Sequence, residues 1–170
     1  MTMILKLRML SDEDDNFLRD YELPYTLNLL DFHRFICNDL GYEAGNVTSF
    51  FLADENWEKI REFTAADMGH DGAENAPIPM EHVTLGQLLH KNRDRLIYVF
   101  DMFGDRALYL EVTGADKEQQ TFDYPRVALA HGEAPNQFDP ELSTPNKSIF
   151  EEAMDDFSDY GGDDDYDDEY

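Results

Sequence analysis

Basic residues are scarce in this sequence. Only 13 Lys and Arg stand against 38 Asp and Glu in 170 residues, which gives a formal net charge of −25 at pH 7. Proteins bind nucleic acid largely through Lys and Arg that displace counterions from phosphate groups, and anionic membranes attract basic segments in the same way. We therefore expect no direct binding of nucleic acid and no binding to a membrane.

Cysteines and long apolar runs are also scarce. The one cysteine, Cys37, has no second cysteine with which to form a disulfide in the chain, and this fits a reducing compartment. No run of about 18 apolar residues is present, so no membrane-spanning helix is expected. The apolar stretch near the N-terminus is too short for the core of a signal peptide. These features together predict a cytoplasmic protein.

Motifs that identify common enzymes are missing as well. The sequence contains no phosphate-binding glycine loop, no nucleophile elbow and no dinucleotide fingerprint. We therefore predict no catalytic residue, no cofactor and no metal, and we keep an enzyme only as an alternative.

The composition is nevertheless that of a folded protein. Hydrophobic residues make up 42% of the chain and aromatic residues 13%, and the length suits one domain with a sizeable core. The strongest local pattern is a hairpin with strands at residues 96–100 and 107–112, joined by residues 102–105. Further strands are predicted at residues 3–10, 17–23, 47–53, 58–64 and 126–130, with a loop over residues 68–80.

Two helices are predicted between the strands. Asn28 can cap the first, whose apolar residues recur at helical spacing, and Gly41 can end it. The second begins at Thr84, which forms a capping box with Gln87, and ends near His90. The predicted fold class is α+β: an antiparallel β-sheet with two or more helices packed on it.

The C-terminal region has a different composition. We predict a folded domain over residues 1–137 and an acidic, disordered tail over residues 138–170. Residues 151–170 contain eleven acidic residues and no Lys or Arg, and residues 1–150 still carry a net charge of −14. The tail either keeps the protein soluble or docks on a basic protein partner through its aromatic residues, which are Phe157, Tyr160, Tyr166 and Tyr170. Its spacing does not suit a calcium loop, and its glycines do not suit a rigid imitation of DNA.

Three groups of side chains inside the domain are candidates for chemistry or binding. His33 and Cys37 are four residues apart on the first helix, where they either share a metal ion or pack in the core. Asp101 and Asp105 flank the hairpin turn, where they act either as an acid–base pair or as turn residues. Trp57, the only tryptophan, is either a partner-binding anchor or a cover for the end of the core.

Several segments, taken in order, resemble a known family. They are LLDFHRFICNDLGY at 29–42, VTSFFLADENWEKIREFTAADMG at 47–69, VTLGQLL at 83–89, DRLIYVFDMFGDRALYLEV at 94–112 and HGEAPNQ at 131–137. The chain resembles the plasmid pRiA4b ORF-three-like family, also described as insertion-element passenger (TnpR-like) proteins, and within it an acidic-tailed branch of Bacteroidetes-type bacteria. The resemblance implies a compact α+β domain and supplies no reaction. The chain departs from the family in the hairpin, where it reads FGDRALY instead of FGDGWEH.

These observations favour a non-enzymatic cytoplasmic interaction or accessory domain, associated with plasmids or mobile elements, whose protein partner is unknown, a basic protein being one candidate. One alternative is an acidic decoy that binds a basic DNA-binding protein in place of nucleic acid. The other alternative is an enzyme that uses carboxylates, with Asp101 and Asp105 as the candidate pair.

Overall fold

A computed structural model of the chain describes residues 2–65 and 76–138. Within these ranges eight strands form one sheet. In chain order the strands are β1 (Met3–Ser11), β2 (Leu18–Pro24), β3 (Ser49–Ala53), β4 (Lys59–Thr64), β5 (Ile78–Pro79), β6 (Arg95–Asp101), β7 (Arg106–Lys117) and β8 (Arg126–His131). The helices are α1 (Leu29–Leu40), the single turn α2 (Leu85–Leu88) and a 3-10 turn at Met80–His82.

The strand order across the sheet is β5-β4-β3-β6-β7-β1-β2-β8. All neighbours are antiparallel except β4 and β5, which pair in parallel. The predicted hairpin is confirmed, and its two strands lie in the middle of the sheet beside β1. The first strand of the chain is therefore enclosed on both sides, by β7 and by β2.

Helix α1 begins and ends as its sequence predicts. The Asn28 side-chain oxygen accepts a hydrogen bond from the Asp31 backbone amide at 2.8 Å, which satisfies one free amide of the first turn. Gly41 ends the helix in a left-handed conformation with φ of 76°, and its amide donates to the Cys37 carbonyl.

Helix α1 lies across one face of the sheet and forms the core with it. The Phe32 ring stacks on Phe50 of β3 with ring centroids 5.4 Å apart, and Phe50 packs against Tyr98 of β6 at 4.8 Å. Tyr21 of β2 meets Phe32 edge-on at 6.1 Å. The apolar stripe of α1 therefore joins β2, β3 and β6, which are far apart in the sequence.

The predicted fold class is wrong in its balance of sheet and helix. Of the residues that the structure describes, 44% lie in strands and 15% in helices, and only α1 is longer than one turn. The sheet is also mixed, because β5 is parallel to β4. A single helix on a broad sheet replaces the two or more helices that were predicted.

The second helix is shorter than predicted because the backbone amides that follow it donate hydrogen bonds to the Asp94 side chain. The Asp94 carboxylate accepts hydrogen bonds from the backbone amides of His90 and Lys91 at 2.8 and 3.1 Å. A continuing helix would direct these amides to carbonyls one turn earlier. The predicted capping contact is present, since the Thr84 amide donates to the Gln87 side chain at 2.9 Å.

Two strands also differ from the prediction. Strand β7 continues to Lys117, beyond the predicted end at residue 112, because its extension pairs with the start of β1 after a bulge between Lys6 and Leu7. Ile78 and Pro79 form the short strand β5 in a segment that the sequence predicts as a loop.

The predicted tail, residues 138–170, lies outside the described residues except for Phe138, so its disorder and the boundary at Gln137 stay predictions. Among the residues that are described, no helix is long and apolar enough to cross a membrane.

Candidate functional site

His33, Tyr98 and Cys37 form a continuous chain of hydrogen bonds inside the core. His33 Nε2 lies 3.0 Å from the Ala44 carbonyl oxygen, so this nitrogen must carry the proton that is donated. In neutral His33 the other nitrogen, Nδ1, then accepts from the Tyr98 hydroxyl at 2.8 Å. The Cys37 thiol completes the chain by donating to the Tyr98 oxygen at 3.4 Å. Every polar atom of the three side chains thus has a partner.

This network favours uncharged groups. Burial lowers the pKa of His33 and raises the pKa of the Cys37 thiol and of the Tyr98 hydroxyl, because each charged form would lose contact with water. A thiol with a raised pKa is a poor nucleophile and a poor metal ligand. In the described ranges no group of three His, Cys, Asp or Glu side chains is placed to hold a metal ion. Of the two interpretations of His33 and Cys37, the geometry supports packing in the core.

The lowered pKa of His33 predicts a loss of stability in mild acid. The unfolded chain takes up a proton on this residue near its ordinary pKa of 6.5 while the folded protein resists it. The free energy of unfolding should therefore fall as the pH drops from about 7.5 to about 5.5. Urea unfolding at both pH values measures the change in the free energy of unfolding, and this change should be smaller in His33→Asn than in wild type. An equal change in both proteins would mean that His33 is not its origin.

Arg106, at the start of β7, is a buried cation with several partners. Its Nε and Nη2 atoms bind both carboxylate oxygens of Glu13 at 2.9 Å. The same guanidinium donates to the carbonyl oxygens of Asn136 at 2.8 Å and Gln137 at 3.2 Å, and it lies 4.7 Å from the centre of the Phe100 ring. Arg106 is 6% exposed, so these contacts replace most of its water. It ties the β1–β2 loop to the segment that follows β8.

Other side chains hold the same segment. The Tyr42 hydroxyl donates to the Pro135 carbonyl at 2.5 Å. Gln137 is bound at both ends of its amide: its oxygen accepts from the Glu43 amide at 2.6 Å and its nitrogen donates to the Glu43 carbonyl at 3.1 Å. The motif HGEAPNQ, quoted above as part of the family resemblance, therefore packs beside the C-terminal end of α1.

Asp101 and Asp105 have separate structural contacts. The Asp101 carboxylate accepts from the Gly104 amide at 3.0 Å and lies 3.4 Å from Arg106. The Asp105 side chain is 87% exposed, with the Lys59 ammonium 3.9 Å away. These positions favour the interpretation of both residues as turn residues over the acid–base pair.

The tip of the β6–β7 hairpin exposes an aromatic ring that sequence reasoning missed. Phe103 is 94% exposed and its neighbour Met102 is 37% exposed. The β1–β2 loop is joined to the start of β7, next to this tip, because Arg106 binds Glu13. The same loop carries the exposed acids Asp12 and Asp15. We call residues 12–15 and 102–105 the acidic tip. In the sequence these residues look like an ordinary turn. Only the exposure of the Phe103 ring distinguishes them, and this exposure depends on the fold.

Trp57 lies at the other end of β6 and is half-buried. Its ring meets Tyr109 edge-on with centroids 5.3 Å apart, and the Arg95 guanidinium covers it at 4.6 Å. It packs on a small apolar cluster on the outer face of the sheet, whose buried members are Ala53, Ile97, Val99 and Ala107. Whether Trp57 also anchors a partner stays a prediction.

The four aromatic residues of the tail that were predicted to dock on a partner lie outside the described residues. They are Phe157, Tyr160, Tyr166 and Tyr170.

Comparisons with known proteins identify relatives without naming an activity. No curated protein matches the sequence. A crystal structure of a protein of unknown function, MM3350 from Methanosarcina mazei Go1, matches with a TM-score of 0.64 and 14% identity. The match covers 76% of this chain and 70% of that one, and at this identity it shows a shared fold alone. The TnpR-like label and the Bacteroidetes-type branch stay predictions. The model of the plasmid pRiA4b ORF-3-like protein family matches residues 3–138, which confirms the resemblance to the family, and the chain belongs to it.

Proposed function

We propose that this chain is a non-enzymatic, cytoplasmic interaction domain that binds a basic protein partner at the acidic tip. One observation carries the proposal: the Phe103 ring is 94% exposed at the end of a hairpin, in a turn that has Asp101 and Asp105 on either side of it in the sequence. Exposed aromatic residues often supply much of the binding energy at protein interfaces. The surrounding carboxylates would guide a partner of opposite charge to the ring.

The charges around Phe103 support a basic partner. Asp105 is exposed in the same turn, with the Lys59 ammonium 3.9 Å away, and Asp12 and Asp15 are exposed in the β1–β2 loop that Glu13 joins to Arg106. The one buried cation nearby, Arg106, is already bound to Glu13 and to two backbone carbonyls. A partner with Lys or Arg around an apolar pocket would therefore gain both charge pairing and burial of the ring.

The buried polar groups support a role without catalysis. His33, Cys37 and Tyr98 bind one another in the core, and Asp101 is bound by a turn amide and Arg106. An acid–base or nucleophilic site requires groups that a substrate can reach, and His33, Cys37 and Tyr98 are buried.

The tail and the biological setting belong to the same proposal. The tail aromatics Phe157, Tyr160, Tyr166 and Tyr170, together with Trp57, would supply further contacts to the partner. The link to plasmids or mobile elements rests on the family description alone. The cytoplasmic location is supported by the single cysteine, which is free and buried.

Replacing Phe103 with serine tests the proposal. The Phe103→Ser variant should lose the captured partner or bind it more than about tenfold more weakly, because hot-spot residues contribute about 2 kcal/mol or more. Its free energy of unfolding should change little, since the ring is exposed. The measurement is affinity capture from cell extract with wild type, followed by the Kd of the purified partner for each variant.

Ile60→Ser is the matched control, because Ile60 is also an exposed apolar residue, 59% exposed, and lies on β4. A variant that ends at residue 150 measures how much of the partner affinity the tail contributes. Unchanged partner affinity in Phe103→Ser would exclude the acidic tip.

The acidic decoy remains a second candidate, since the net charge of −25 suits it. In that case duplex DNA should compete with this chain for the partner, and the affinity should fall steeply with salt.

A further inference from the structure

A polar groove lies at the end of β6 opposite to the acidic tip. Its walls are the loop after β3 and the loop before β6, which meet because Ala53 pairs with Arg95 across the two strands. Its volume is about 660 Å³, within the range of small-molecule sites. The lining residues of the two loops are Asp54, Glu55 and Asn56, and Lys91, Asn92, Arg93 and Asp94.

Two carboxylates of the groove hold its walls in place. Asp54 accepts hydrogen bonds from the amides of Asn56 at 2.8 Å and Glu58 at 2.9 Å. Asp94 accepts from the amides of His90 and Lys91. Because the carboxylates of Asp54 and Asp94 are directed at backbone amides, they hold the two loops in place. Glu55, the third acidic residue of the lining, makes no such contact with its carboxylate among the described residues.

Three basic residues line the groove: Lys91, Arg93 and Arg95. Arg95 lies at the bottom of the groove and is held in place by its contacts. Its guanidinium covers the Trp57 ring, donates to Glu111 at 3.1 Å and donates to the Glu55 carbonyl. Its side chain is only 13% exposed. Arg95 therefore stabilises the groove and has little capacity left for a ligand.

Lys91 and Arg93 are the cations that remain for a ligand. Arg93 is 80% exposed, and its nearest acidic group, Glu111, is 3.9 Å away and already bound to Arg95. No acidic side chain in the described ranges pairs with the Lys91 ammonium. Arg93 shares Glu111 with Arg95, and both Arg93 and Lys91 line the groove, so their remaining hydrogen-bond donors are available to a ligand.

The backbone at Arg93 is strained, and its contacts within the fold do not explain why an arginine is there. Its φ is 76°, a left-handed conformation that glycine adopts at no cost and that arginine resists. The turn is imposed by the backbone, since the Arg93 amide donates to the Val112 carbonyl at 2.8 Å. An exposed side chain kept at such a position points to a use outside the fold.

From these features we infer that the groove binds a small carboxylate ligand, with Arg93 and Lys91 as the residues that recognise it. The planar guanidinium matches the two oxygens of a carboxylate, and the ammonium adds a second positive charge. Arginine and lysine side chains also bind phosphate, but phosphate sites in loops usually add backbone amides. Here Asp54 and Asp94 take the amides of Asn56, Glu58, His90 and Lys91, which favours a carboxylate.

The fluorescence of Trp57 provides the test, because it is the only tryptophan and lies under Arg95 at the base of the groove. The probe is succinate, titrated against the whole chain, with sodium chloride at matched ionic strength. We expect a saturable change with succinate and none with chloride. In Arg93→Gly the Kd for succinate should rise about tenfold or more, because an ion-paired hydrogen bond is lost.

Arg93→Gly is chosen because glycine fits the left-handed backbone. The relief of the left-handed strain offsets the greater freedom of glycine in the unfolded chain, so the melting temperature should stay close to that of wild type. Weaker binding then cannot be ascribed to unfolding. Arg34→Gln, an exposed arginine on α1, is the control and should bind succinate as wild type does. A change that does not saturate, equal affinity in Arg93→Gly, or tighter binding of inorganic phosphate than of succinate would each overturn the assignment.

Discussion

Arg106→Ala should lower the free energy of unfolding by about 2–3 kcal/mol, the range for losing hydrogen bonds to a charged group, because the Glu13 side chain that remains is 33% exposed and can still contact water. The arginine is 6% exposed and binds Glu13 with two hydrogen bonds. Its loss would leave that carboxylate without its cation and the carbonyls of Asn136 and Gln137 without their donor. The contact with the Phe100 ring would be lost as well.

Urea unfolding of wild type and Arg106→Ala measures the difference. Arg34→Ala is the control, because Arg34 pairs with Asp31 on the surface of α1 and both side chains are more than half exposed. Exposed pairs of this kind contribute about 0.3–0.5 kcal/mol. If the two variants lost the same stability, Arg106 would not be the central contact of this end of the fold.

Phe32→Ala should cost about 3–5 kcal/mol, the range for deleting a buried phenylalanine. Phe32 is completely buried and lies where α1 meets the sheet, stacked on Phe50 and edge-on to Tyr21. Because α1 is the only described helix longer than one turn, few other apolar groups can move in to fill the cavity.

Phe103→Ala provides the matched control, since the same residue type is 94% exposed there and its removal should change stability by less than about 0.5 kcal/mol. Thermal unfolding of both variants checks the pair. A small loss in Phe32→Ala would mean that α1 contributes little to the core.

Local rules in the sequence predicted the elements with strong signals at their ends. Asn28 and Gly41 define α1 because capping is decided by one or two residues and their neighbours. The β6–β7 hairpin is also local, since its strands are joined by four residues. The short α2 was overestimated because the carboxylate that stops it, Asp94, lies beyond the predicted helix.

The candidate sites depend on contacts between distant positions, which local patterns do not contain. Arg106 and Glu13 are 93 residues apart, and the carbonyls that Arg106 binds carry no side-chain signal at all. The pairing of His33 with Tyr98 spans 65 residues. The exposure of Phe103 and the strain at Arg93 follow from the path of the backbone in the folded sheet, so local sequence patterns do not predict them.

The place of β1 between β7 and β2 has a consequence for how the chain is made. The first strand leaves the ribosome early and can join β2 at once, but its other neighbour ends at Lys117, about a hundred residues later. Pairings between such distant segments form slowly because a long loop must close first. The other neighbour of β2 is β8, which is made later still. The β1–β2 hairpin must therefore wait during synthesis with both edges unpaired, and a nascent chain would be most prone to aggregate there.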